Sequence, residues 1–245
     1  MRKNRPVIET LRSAILSAVC VSVSCLFPAT ASAASNPVAD WNQVITQSIG
    51  RECQTPALAS RNLATYHMAI AAAIEKTQDR SEKDQILAAA SAAKTIGKML
   101  FSGEEARFDE LVPQSGLTAE QVAMVELGEA IAVDAMEIRQ GDSTTTTENY
   151  STTFEPGQWQ RTSSRPPELP HWNKVRPFLL KDAQAFLPPP PPALNSPEYA
   201  KAVREVQTYG AIDSIERTPE QTLIAKFWSD FSYTSTPPGH WNEIA

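Results

Sequence analysis

The sequence predicts an all-α protein, and three observations carry that expectation. Apolar residues recur at three- and four-residue spacing through the first half of the chain and again near its end. Four helix starts are marked by a capping Ser or Thr: Ser81, Thr118, Ser196 and Thr218. No stretch alternates apolar and polar residues as a half-buried strand would, and there is no internal repeat.

The first 33 residues stand apart from the fold. Arg2, Lys3, Arg5 and Arg12 precede Ala14–Phe27, an uncharged run of apolar residues and small serines, and Ala31-Ser32-Ala33 follows. That order reads as a secretory signal peptide cleaved after Ala33. Its apolar run is short for a bilayer span, which takes about 20 residues. The mature chain is therefore expected to be secreted or periplasmic, with no membrane attachment after cleavage. Cys25 follows Ser22-Val23-Ser24, which departs from the lipoprotein pattern.

From residue 34 to 140 the sequence reads as an N-terminal helical part. Pro56 to about Arg80 carries Leu63, His67, Ile70 and Ile74 at helical spacing in an alanine-rich background, which suits close helix–helix contact. Ser81, with Asp84 at the third helical position, caps a helix through Ile86, Leu87 and Ile96 to about Phe101. Glu104–Val112 offers a short turn before Pro113. Thr118-Ala119-Glu120-Gln121 is a capping box for a helix reaching about Gln140, and Gly141 ends it. On it Met124, Leu127, Ile131, Ala135 and Ile138 fall within about 80° of one another, and Glu126, Glu129, Asp134 and Glu137 lie opposite.

Residues 141–195 form a Pro/Thr/Trp-rich irregular segment. Prolines at 156, 166, 167, 170 and 177 forbid long helices. Trp159, Trp172 and Phe178 predict that the segment packs against the helices. Pro188–Pro192 is a stiff polyproline connector over the helix surface. Residues 196–245 return to helix. Ser196-Pro197 opens one with Ala200, Val203, Val206 and Tyr209 on a stripe and Gly210 at its close. Thr218-Pro219-Glu220-Gln221 opens another with Leu223, Ile224, Phe227 and Trp228 on its apolar face. A loop over Tyr233–Gly239 then leads to Trp241–Ala245, the opening of a further helix.

Charge and residue types narrow the chemistry. The chain has 22 Lys and Arg against 28 Asp and Glu, a formal charge of −6. Cleavage takes away four basic residues and Glu9, leaving about −9. This excludes a nucleic-acid surface, which needs clustered Lys and Arg. Cys53 is the one cysteine outside the signal, so no internal disulfide forms. A semi-buried structural thiol is the expectation for it, ahead of a nucleophile. Glu126 and Glu129 are spaced for a di-metal site, but no Glu-x-x-His faces them, and a solvated face accounts for them better. His67 lies on an apolar stripe and reads as a satisfied core histidine. His171 and His240 each precede a tryptophan, and no two histidines share a metal-ligand spacing. Neither a Gly-x-Ser-x-Gly elbow nor a phosphate-cradling Gly-x-x-x-x-Gly-Lys loop occurs. No catalytic, cofactor-binding or metal-ligating residue is assigned.

Four segments in order, Arg61–Glu75, Pro170–Gly210, Arg217–Asp230 and Pro237–Ala245, resemble the N-terminal half of bacterial vanadium-dependent haloperoxidase-like proteins. These belong to the superfamily of type 2 phosphatidic acid phosphatases. The resemblance covers nearly all of the mature chain. It implies a helical bundle that binds vanadate or phosphate and either oxidises halide with peroxide or hydrolyses phosphate esters. An oxyanion in a trigonal-bipyramidal transition state needs Lys, Arg and backbone N–H donors with a histidine in line. The family supplies these from Lys-x6-Arg-Pro, Pro-Ser-Gly-His and Ser-Arg-x5-His, after the region matched here.

None of the three is satisfied in this chain. The positions seven before Arg165 and Arg176 are Gln158 and Leu169, and Arg5 lies in the signal. Pro238-Gly239-His240 lacks the serine. Ser164, Arg165 and His171 fit the third spacing, but in a proline loop and ahead of the other motifs, so they read as a chance match. The expectation is an exported chain truncated before its oxyanion site and inactive by itself. The vanadate or phosphate site belongs only to a complete family member. A non-catalytic helical binding or scaffold module is the alternative. Exposed helix faces would then meet a second copy of the chain or a separate C-terminal half.

Overall fold

The computed structural model describes residues 36–245, so the expectations for the first 33 residues lie outside it. The described chain is all-α, with eight α-helices, two short 3-10 turns and no strand among the described residues. Residues Asp40–Ala245 form one compact unit.

Helix α1 (Pro37–Arg51) has no counterpart in the sequence-based elements, which begin at Pro56. Its large apolar residues are Val38, Trp41, Val44, Ile45 and Ile49, and Trp41, Ile45 and Ile49 recur every four residues. These last three are buried together with Thr46 and Ser48. The two hydroxyls bond back to carbonyls of their own helix, Thr46 to Gln43 and Ser48 to Val44, so burial leaves neither unsatisfied. Helix α2 (Pro56–Lys76) stops four residues before the expected end. There Thr77 turns its hydroxyl onto the carbonyls of Ala73 and Ile74 and closes the last turn. Helix α3 (Glu82–Leu100) starts at the expected cap, with Ser81 Oγ accepting from the Asp84 N–H at 3.3 Å. The short α4 (Glu105–Asp109) seats Phe108 against Phe101 and Tyr66, all three fully buried.

Helix α5 (Ala119–Ile138) has the full capping box at Thr118 and Gln121, and it turns the expected side inward, shifted toward its small residues. Met124, Leu127 and Ala135 of the expected stripe are partly covered and Ile131 is buried, together with Gly128 and Ala132 beside the stripe, whereas Ile138 is 67% exposed. The small residues account for the shift. A Cβ on Gly128 would lie 2.2 Å from the Ala88 carbonyl oxygen, so α3 and α5 touch backbone to backbone there. Ser91 of α3 completes the contact by donating to the Val125 carbonyl at 2.7 Å. The alanines Ala88, Ala89, Ala90, Ala92 and Ala93 of α3 are buried around this point, and α2 packs against both α3 and α5.

The irregular segment docks through its start at Asp142 and through residues 171–178, and the stretch between stays at the surface. His171 is buried and Phe178 packs on Arg139, but Trp159 is 51% exposed and stacks edge-on with Tyr150 at the surface. The polyproline run Pro188–Pro192 is exposed throughout. Helices α6 (Pro197–Gly210) and α7 (Pro219–Phe227) start at the expected caps, yet neither buries a residue. The last helix, α8 (Thr236–Ile244), begins five residues before Trp241 and takes in Pro237-Pro238-Gly239 as its first turn. Prolines suit a first turn, whose N–H groups have no partner in the helix. The buried Gly239 lets that turn approach Ser235 and, beyond it, Thr46 of α1.

Candidate functional site

The most deeply buried ionic centre lies where α2, α5 and the end of the irregular segment meet. Gly141, at φ +66°, reverses the chain after α5 and sends Asp142 back under it. The Asp142 carboxylate accepts from Arg61 Nε of α2 at 3.1 Å and from Arg139 Nε at 3.0 Å. Its other oxygen accepts from the Thr144 N–H and hydroxyl. Arg139 also donates to the carbonyls of Arg176 and Pro177, and its guanidinium lies 4.0 Å from the centre of the Phe178 ring. The Arg176 N–H donates to the Asp142 carbonyl and its side chain to the Ile138 carbonyl. Asp142 and Arg139 are only 3% and 5% exposed.

Burial by itself would raise the Asp142 carboxyl. Donation from the Thr144 hydroxyl and N–H and from Arg61 overrides that and holds it at about 2. The centre is therefore a carboxylate clasped by two guanidiniums. It is an ionic staple that ties the 171–178 segment to the helices.

Two arginines and a nearby histidine invite comparison with an oxyanion site, and the donor set does not fit one. The guanidinium N–H groups that would meet vanadate or phosphate already meet Asp142. An added oxyanion would have to displace a carboxylate of like charge. The residues of the Ser-Arg-x5-His match are placed apart in function. Arg165 is exposed, and the one bond recorded for it is its backbone N–H to Ser163. His171 turns Nε2 to the Thr144 carbonyl at 3.2 Å.

The remaining polar candidates are also accounted for by local contacts. His67 is half-buried with Nε2 3.0 Å from Asn42 Oδ1, and burial lowers its pKa. Glu129 pairs with Lys94 of α3 at 3.4 Å, and Glu126 is exposed. Among the described residues no group of three or more His, Cys, Asp and Glu converges as a metal site would require. Cys53 is exposed rather than semi-buried, because it sits at φ +51° in the tight turn between α1 and α2.

A second cluster gathers at the start of α8. His240 Nδ1 lies 2.9 Å from Asp230 Oδ2. The Trp228 ring stacks between His240 and Trp241, with centroid distances of 5.1 and 5.2 Å, and Phe227 meets the His240 edge. Sequence reasoning gave His240 no partner. The only hint was two tryptophans and a histidine in a chain with few aromatics. The cluster ties the end of α7 to α8, and no serine, threonine or cysteine hydroxyl or thiol is bonded to the imidazole. Among the described residues, no helix is long and apolar enough to cross a membrane. Comparison of the chain with protein-family models, with curated proteins and with solved structures found no match.

Proposed function

We propose that these residues form a helical, non-catalytic part of an exported protein of the vanadium-dependent haloperoxidase and type 2 phosphatidic acid phosphatase kind. Halide oxidation or phosphate-ester hydrolysis, where such proteins perform it, depends on residues other than these. The observation that carries this reading is the neutralised arginine centre. Arg61 and Arg139 are committed to Asp142, and this leaves no buried set of free cationic donors for an oxyanion among the described residues. The resemblance of the four segments supplies the family, and the all-α architecture agrees with it.

The test is direct. The exported protein is incubated with vanadate, bromide, hydrogen peroxide and a phenol-type dye, and separately with an aryl phosphate. The expected result is no dye bromination and no phosphate release above protein-free controls. Turnover in either assay overturns the reading.

A second reading, a binding or scaffold module, is favoured by the exposed apolar stripes of α6 and α7. Val206 is 71% and Leu223 68% exposed. A monodisperse product that melts cooperatively supports the module. An aggregating or molten product weighs against it.

A further inference from the structure

A groove of about 190 Å³ lies between α2 and α5. Met68 and Ala72 of α2 form one wall, Ile131, Ala135 and Ile138 of α5 the other, and Phe178 closes one end. It adjoins the ionic staple: Arg139 lines both, and Phe178 packs on Arg139.

The few polar groups along this groove have their hydrogen bonds elsewhere. Thr65 Oγ1 donates to the Arg61 carbonyl at 2.8 Å. The Arg139 guanidinium points at Asp142 and at the carbonyls of Arg176 and Pro177, and its face is covered by Phe178. Lys76 and Asp134 are exposed at the rim and carry opposite charges. A water molecule held in a cavity needs two to four polar partners, and these walls offer few. Water here is poorly held, and an apolar guest gains by displacing it. A charged guest would lose hydration against the apolar walls and meet only the solvent-exposed rim charges Lys76 and Asp134, whose pairing is worth little.

Size and surface chemistry narrow the guest further. An apolar cavity of about 150 Å³ lined by aliphatic and aromatic side chains admits benzene. The present groove admits one ring with a short substituent, and is too small for an acyl chain of any length. The Met68 thioether and the Phe178 ring both favour an aromatic guest over an aliphatic one, through sulfur–ring and ring–ring contact. Met68 is 48% and Ile138 67% exposed, so a guest also covers apolar surface that now faces solvent.

We propose that the groove between α2 and α5, closed by Phe178, is a binding site for a small uncharged aromatic molecule of toluene size. The test is a titration of toluene into the full chain, produced with its own leader and carrying 13C-labelled Met and Ile methyl groups. Saturable shifts are expected at Met68, Ile131 and Ile138, with half-saturation at or below about 1 mM, within reach of a seven-atom ligand. Benzoate and benzylammonium are expected to bind several-fold more weakly, because the exposed Lys76 and Asp134 at the rim offset only part of the desolvation of their charge. Ala135→Phe fills the groove and abolishes the shifts. Should that variant fail to fold, Ile138→Ala removes an exposed wall and weakens toluene binding several-fold. Three results overturn the proposal: no saturable shift, shifts centred on Ile212, Ile215 and Ile224, or equal affinity for the charged probes. Shifts that change with protein concentration in the absence of toluene also overturn it, because they make the groove a contact between copies of the chain.

Discussion

Helices α1 to α5 and helices α6 and α7 have opposite fates. Helices α3 and α5 of the first group and both helices of the second start at bonded Ser or Thr caps, and each of these four carries an apolar stripe. In the first group Tyr66, Phe101, Phe108 and the alanines of α3 are buried to within a few per cent. In the second no residue is buried. Capping and periodicity specify a helix and a face, but not what lies on that face. The first group supplies its own cover because small residues let α3 approach α2 and α5 closely. The second is held by its ends. Arg217 donates to the carbonyls of Tyr209 and Ala211 and to Thr222 Oγ1, which fixes the turn between α6 and α7, and the Trp228–His240 stack fixes the end of α7.

The comparison is broken most severely at the staple. Asp142→Ala leaves Arg139 buried without its counter-charge, while Arg139 keeps its bonds to the Arg176 and Pro177 carbonyls. Removal of one partner of a buried pair costs about 3–5 kcal/mol. Urea denaturation of the protein should show a loss of that size. A loss below about 1 kcal/mol means the staple is solvated and contributes as little as a surface pair.

A matched pair of glycines sharpens the contrast. Gly128→Ala puts a methyl group into the Ala88 carbonyl and the Ser91 side chain, so α3 and α5 must separate. Overpacking of this kind costs about 1–3 kcal/mol, and the helix-propensity gain of Ala over Gly, up to about 1 kcal/mol, offsets part of it. A net loss of about 2 kcal/mol is expected. Gly210→Ala, at the end of α6, meets only Val206 Cγ1 at 3.7 Å, an ordinary contact. It should leave stability unchanged or raise it by a few tenths of a kcal/mol. Equal effects at the two positions would mean that the two regions are packed alike.

Acid offers a third probe. The Asp142 carboxyl sits at about 2 when folded, against 3.8 ordinarily. Its contribution, about 2 kcal/mol, is therefore complete above the ordinary value and is lost as pH falls from there through about 2. His67 acts earlier. Burial lowers its pKa, so the unfolded chain takes up the proton first, and stability begins to fall as pH drops through the ordinary histidine range. Thermal melts between pH 7 and 2 should show both limbs. His67→Gln should flatten the first and Asp142→Asn the second.

These tests follow the line between what the sequence discloses and what it does not. Ser81, Thr118, Ser196 and Thr218 are legible because a cap involves only three or four consecutive residues. Helix α1 goes unread although Trp41, Ile45 and Ile49 recur every four residues, because polar Asn42, Gln43, Thr46, Gln47 and Ser48 separate them and Thr46 and Ser48 share the buried face. The buried face of α5 is legible at Ile131 but not at Gly128 and Ala132, which matter through their smallness, and hydrophobic periodicity does not register that. The staple is invisible for a further reason: Arg61 and Asp142 are 81 positions apart, and nothing local marks them as partners. The same holds for Asp230 and His240. Their residue types are common, and only the aromatic surroundings of Trp228 distinguish the place. The absence of Lys-x6-Arg-Pro and Pro-Ser-Gly-His, by contrast, needs no folded structure to be seen.

The smallest effect on stability is expected where the apolar residues are most conspicuous. Leu223 and Ile224 look like core residues in the sequence, and in the structure they are 68% and 52% exposed. Replacing both by serine removes little packing, and the cost should stay within about 0.5 kcal/mol, as for other surface substitutions. The informative readout is therefore association rather than folding. If the stripe meets a second copy of the chain, the double substitution abolishes a concentration-dependent dimer in sedimentation velocity and leaves the melting temperature of the dilute protein in place. If it meets nothing, neither quantity moves. A loss of several kcal/mol in dilute solution would mean that α7 is covered by the protein's own chain, and the contrast between the two groups of helices would then disappear.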